Sequence, residues 1–113
     1  MVRGSRVERP TKKSEYVIVF ATREASRGWG DLKATSLNAL AEAWDFLTRT
    51  PLQTTPSNYR LKGSLGRVTR DGATHDRWQY KPTQRGNARI WFYVDEQTVY
   101  LEQVHTRHPD ETK

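Results

Sequence analysis

Leu37, Leu40, Ala41, Trp44 and Leu47 recur at i, i+3, i+4, i+7 and i+10, the spacing of one face of an α-helix. Thr35 or Ser36 can cap the start of that helix, and Pro51 forbids its continuation. Upstream, Glu15–Ala21 is β-branched and aromatic and apolar on both faces, which predicts a central or well-covered strand. Between the two, Thr22–Lys33 can form a short helix started by Thr22 and weakened by Gly28 and Gly30.

After the loop at residues 50–58 the period shortens. Four strand candidates follow: Tyr59–Lys62, Asp76–Lys81, Ala88–Val94 and Thr98–Val104. Gly63, Gly66, Asp71-Gly72, Gly86-Asn87 and Asp95-Glu96 separate them, all turn formers. Asp95-Glu96-Gln97 is short enough for a hairpin, so the last two strands should be antiparallel neighbours. A strand, two helices and then a run of strands define an α+β fold. Two N-terminal helices should pack on one face of a mostly antiparallel sheet of about four to five strands, with the other face free to meet a partner.

The 113 residues suit a single domain over residues 15–113, preceded by a basic arm (residues 1–14) too poor in apolar residues to order itself. No cysteine is present, which removes disulfides and thiolate metal sites and fits a reducing cytoplasm. The longest apolar run, Tyr16–Ala21, is far too short to span a bilayer, and no apolar stretch follows the basic N-terminus as a secretory signal requires. The chain therefore reads as soluble and cytoplasmic, with no membrane partner.

Net charge is +6, with five basic residues against Glu8 in the arm and eight against Asp71 and Asp76 between residues 58 and 93. A polyanion is the natural partner of such a distribution, although a solubilising surface looks the same in composition.

Alternation sorts the strand side chains. Arg77, Gln79 and Lys81 share one face of their strand, with Trp78 and Tyr80 opposite. Arg89, Trp91 and Tyr93 share one face of the next, while Ala88, Ile90, Phe92 and Val94 should face the helices. Arginine forks suit phosphate oxygens and aromatic rings stack on splayed bases, so this surface is a candidate RNA interface. The last strand runs into His105, Arg107, His108 and Lys113. Cleaving RNA needs a base for the 2′-hydroxyl, an acid for the leaving oxygen and cations for the developing charge, and these four have the chemistry. His75, beside a predicted turn, reads as structural or solvent-facing. A zinc site on the two C-terminal histidines with Asp110 and Glu111 lacks a second cluster of matching spacing, so no metal and no cofactor is expected.

The order of elements, with basic residues along the sheet, resembles the RelE/ParE superfamily of type II toxin–antitoxin toxins. The anchors are Tyr59-Arg60-Leu61-Lys62-Gly63, Asp76-Arg77-Trp78-Gln79-Tyr80, Ala88-Arg89-Ile90-Trp91-Phe92-Tyr93-Val94-Asp95 and the terminal His108-Pro109-Asp110-Glu111-Thr112-Lys113. The likeness covers about residues 15–113. It implies an endoribonuclease that cleaves mRNA, often in the ribosome, by metal-independent attack of the 2′-hydroxyl on the adjacent phosphate, and that a cognate antitoxin neutralises.

Arg77 then resembles the first residue of a basic pair, with Gln79 where a second basic residue is common. Arg89 resembles the arginine that holds the scissile phosphate. Arg107 and His108 resemble the C-terminal basic or histidine site, and Lys113 falls where some relatives place a catalytic tyrosine. Arg60, Lys62, Gln79, Lys81, Trp91 and Tyr93 would bind the RNA. Two alternatives use the same surface: a ParE-like toxin that inhibits a DNA topoisomerase without nuclease activity, and a non-catalytic RNA-binding module.

Overall fold

The computed structural model describes residues 3–83 and 86–106. Its elements run β1 (Val17–Phe20), α1 (Arg23–Thr35), α2 (Leu37–Arg49), β2 (Asn58–Arg60), β3 (Arg67–Arg70), β4 (Ala73–Asp76), β5 (Trp78–Tyr80), β6 (Arg89–Asp95) and β7 (Thr98–His105). Five strands form the main sheet in the order β1-β7-β6-β5-β2, and β3-β4 is a separate two-stranded ribbon. All pairings in the main sheet are antiparallel except that of β1 with β7. The α+β class and the sheet of about five strands agree with the sequence reading.

Both helices cover one face of the sheet. Leu40, Ala43 and Leu47 of α2 and Ala25 and Leu32 of α1 pack with Tyr80, Ile90, Phe92, Val99, Leu101 and Val104. Ile90 and Phe92 face the helices as alternation requires, and Val94 and Ala88 pack at the margin of the same cluster. The buried line of α2 is rotated from the expected one. Leu37 is 58% exposed and Ala41 is exposed, while Ala43 is fully buried and Phe46 packs on Tyr80 at 5.2 Å. Leu37 is the first residue of the helix. Ser36 holds the cap position without a side-chain hydrogen bond.

Helix α1 is firmer than its glycines suggest. The Thr22 hydroxyl accepts from Ala25 N at 3.0 Å and donates to the Glu102 carbonyl at 2.6 Å, so it caps the helix and ties it to β7 together. Gly28 is needed by packing: any Cβ there would overlap the Val104 carbonyl, so its absence lets α1 lie directly on β7.

Two expectations need correcting. The segment Glu15–Ala21 is neither central nor well covered. Only residues 17–20 are strand, β1 pairs with β7 alone at the edge of the sheet, and Val17 and Phe20 are 57% and 46% exposed. An apolar run does not report how many neighbours a strand has; here Phe20 finds partial cover against Trp29, edge to face at 6.1 Å. Nor is Asp76–Lys81 one strand. It breaks at Arg77, and Asp76 pairs with Arg67 in the ribbon while Trp78–Tyr80 joins the sheet.

The β3–β4 ribbon was missed although its turn residues were noticed. Asp71 (φ 52°) and Gly72 (φ 80°) both take the left-handed conformation that a tight hairpin turn demands. Its strands are polar, so no apolar alternation betrayed them. The predicted hairpin at Asp95-Glu96-Gln97 is present, with Asp95 opposite Thr98.

Candidate nucleic-acid interface

The face of the sheet away from the helices carries the predicted residues, but it is not bare. Trp91, Tyr93, Gln79 and Arg89 are 2%, 6%, 3% and 7% exposed. The ribbon lies over this face and closes it: His75 of β4 stacks on Tyr93 at 4.7 Å, and Arg70 of β3 reaches Glu102 at 3.2 Å. The expected freely exposed sheet face is therefore corrected. Its covering came from a hairpin whose strands the sequence pattern did not announce. His75 is accordingly structural.

A polar network runs across the covered layer. The Trp91 indole N–H donates to Gln79 Oε1 at 2.8 Å, and Gln79 Nε2 donates to the Tyr59 hydroxyl at 2.9 Å. The Arg77 guanidinium lies over the Trp91 ring at 5.2 Å, with one nitrogen 2.7 Å from Glu102 Oε1 and another donating to the Leu65 carbonyl at 3.3 Å. The closest of these contacts is a charge pairing: Glu102 Oε1 accepts no hydrogen bond among the described residues. Gln79 thus has a definite task where a second basic residue was a family expectation. It satisfies a buried indole, which a lysine could not do.

Glu102 was not singled out from the sequence, yet it organises the layer. In β6–β7 pairing, Phe92 faces Leu101 and Trp91 faces Gln103, so Glu102 is the extra residue of a β-bulge. The bulge turns its carboxylate onto the sheet face between Arg77 and Arg70, where its side chain is 1% exposed. A charged residue inside the apolar alternation of Thr98–Val104 was the available signal.

At the far end of the same strands, Arg89 and His105 are register partners across β6 and β7. His105 meets the edge of Trp91 at 5.0 Å. Arg89 Nη1 donates to the carbonyls of Gly86 (2.9 Å) and Ala88 (2.7 Å), while its buried Nε has no hydrogen-bond partner among the described residues. His105, Gln103, Glu102, Arg70, Glu24 and Thr22 line a groove of about 550 Å³ that opens at the N-terminus of α1.

The other predicted residues are more dispersed. Lys81 sits over the Tyr59 ring at 5.2 Å, Arg60 pairs with Asp76 at 3.1 Å in the open, and Lys62 is exposed. Arg107, His108 and Lys113 lie outside the described residues. Among the described residues no group of three or more His, Asp or Glu is placed to hold a metal ion, and no helix is long and apolar enough to cross a membrane. Tyr93 is perturbed: burial raises its hydroxyl pKa above the ordinary tyrosine value, against the pull of nearby Arg70.

No protein-family profile, curated protein or solved structure matches the chain.

Proposed function

We propose that this chain is a RelE/ParE-type toxin, an endoribonuclease that cleaves mRNA in the cytoplasm and is held in check by a protein antitoxin. The observation that carries the reading is the placement of Arg89 directly across from His105, beside a groove, with the Arg89 Nε donor unpaired among the described residues. A buried guanidinium N–H without an acceptor is costly, and a phosphate oxygen supplies one.

In this reading an RNA phosphate sits between the two residues. His105 takes the 2′-hydroxyl proton as that oxygen attacks the phosphorus, the bond to the 5′-oxygen breaks to leave a 2′,3′-cyclic phosphate, and water protonates the departing oxygen. Arg89 offsets the charge that builds on the phosphoryl oxygens. Arg77 acts behind them, held over Trp91 by Glu102, and Lys81, Arg60 and Lys62 extend the basic surface toward flanking phosphates. The net charge of +6 favours mRNA, in the ribosome or free, and an acidic antitoxin segment alike.

The test is cleavage of a defined mRNA by the purified chain, with and without ribosomes. Arg89→Ala and His105→Ala should each reduce cleavage by at least about 100-fold, the scale of general acid–base and charge-stabilising groups. Full cleavage by both variants would remove the site.

The internal pairing of Arg77 with Glu102 favours a second reading. A cation already neutralised within the sheet contributes less to catalysis, as in an RNA-binding module or a ParE-like topoisomerase inhibitor. RNA binding without cleavage would select the former, and DNA damage with intact transcripts the latter.

A further inference from the structure

Strand β1 lies at the edge of the main sheet and has one neighbour there, β7. Val17 N donates to the Gln97 carbonyl at 3.0 Å and Ala21 N to the Leu101 carbonyl at 2.8 Å, so the odd-numbered residues turn their backbone groups to β7. Alternation then points the N–H and C=O of Ile18 and Phe20 out of the sheet. The edge is closed before them, where Tyr16 N donates to the Thr48 carbonyl of α2 at 2.8 Å, and after them, where Thr22 opens α1. A short stretch of open ladder remains between.

This stretch has none of the usual guards against pairing. It reads Val-Ile-Val-Phe, without a charge or a proline, and Val17 and Phe20 are exposed. The opposite edge of the sheet, β2, ends in Arg60, and the ribbon strand β3 begins and ends in arginine.

We infer that β1 is a self-association edge, pairing antiparallel with β1 of a second copy of this chain across a two-fold axis. The register follows from the open groups. All of them find partners when Ile18 lies opposite Phe20 of the second copy, and Phe20 opposite its Ile18; Val19 then faces its own counterpart on the axis. The five-stranded sheet doubles, with the helices of both copies on one face. Each exposed side chain gains a cross-strand neighbour, Phe20 from Ile18 and Val17 from Ala21. Charge at the two ends fits the same register. Arg23 and Glu24, the first residues of α1, come beside Glu15 and Lys13 of the second copy, so that each acid meets a base.

The chain has no cysteine, which allows a test of the register itself. Residues that face each other in an antiparallel pair have Cα atoms about 4.5–5.5 Å apart, within the span of a disulfide. Val19→Cys should therefore give a covalent dimer when the full chain is mildly oxidised. Val17→Cys should not, although Val17 is the more exposed of the two, because its counterpart lies about 14 Å away. An interface built on so short an edge is small, so wild-type protein should dimerise reversibly in sedimentation equilibrium between about 10 and 500 µM. Val17→Lys, which sets a charge on the edge, should weaken that association by at least about 10-fold.

A wild-type chain that stays monomeric at about 500 µM overturns self-association, as it must if the edge is kept for a strand of another protein. So does cross-linking of Val17→Cys as fast as Val19→Cys, the mark of random collision. Should Val19→Cys fail to fold, unchanged association of Val17→Lys overturns it as well. Self-association and RNA cleavage are measured separately, and either can fail alone.

Discussion

The Glu102 carboxylate and the Arg77 guanidinium lie 2.7 Å apart beneath the β3–β4 ribbon, with the Trp91 ring stacked below the guanidinium. Only 1% of one side chain and 14% of the other is exposed. Removing the acid would strand a buried cation. Glu102→Ala should destabilise the protein by about 3 kcal/mol, read as a lower urea midpoint, whereas Arg70→Ala, at the exposed end of the same carboxylate, should cost less than about 1 kcal/mol. Equal effects of the two would contradict this account of the layer.

Gln79 links the Trp91 indole to the Tyr59 hydroxyl. Gln79→Leu keeps the volume and deletes both hydrogen bonds, leaving a buried N–H with nothing to donate to. A loss of about 1–3 kcal/mol in chemical denaturation is expected. Gln79→Lys should be no better tolerated, since an ammonium cannot accept from the indole.

Gly28 offers a test in which helix propensity and packing oppose each other. Alanine is the better helix former by about 1 kcal/mol, yet its methyl group would overlap the Val104 carbonyl where α1 touches β7. Gly28→Ala should therefore lower the melting temperature. Gly30→Ala, in open space on the same helix, should raise it slightly.

Arg9 forks onto Glu15 at 2.8 and 3.0 Å and lies over the Trp44 ring at 5.9 Å, fastening the basic arm beside α2. The hydrogen bonds from Arg9 hold the Glu15 carboxyl down at about 2, below its ordinary 4.5. A depressed carboxyl contributes its stability above the unfolded value and loses it as pH falls through the folded one. The clasp should be intact at neutral pH and weaken between about pH 4.5 and pH 2. Trp44 fluorescence in a chain whose other tryptophans are replaced by phenylalanine should report that change, and Arg9→Ala should abolish it.

Periodicity carried much of the architecture. Ile90 and Phe92 stood out as core because their strand alternates cleanly, and the close of the sheet was legible in Asp95-Glu96-Gln97. What escaped was whatever depends on tertiary neighbours. The edge position of β1 has no signature in four apolar residues. The polar strands of the ribbon offered only Asp71-Gly72. The site divided along the same line. Side-chain alternation put Arg77, Gln79, Arg89 and Trp91 on the helix-distal face, but could not say that a hairpin would cover them. Glu102 stood out only as a charge within an apolar strand; its place on the helix-distal face depends on a bulge, a one-residue shift that no period encodes.

The Thr22 hydroxyl and the Glu102 carbonyl to which it donates are 80 residues apart in the chain, and β1 can pair with nothing in its own chain until β7 has been made. The first strand must therefore wait for the last, and the groove beside His105 has no walls before then. Contacts this distant in sequence slow folding. Loss of β7 should therefore undo the edge strand, the cap of α1 and the groove together.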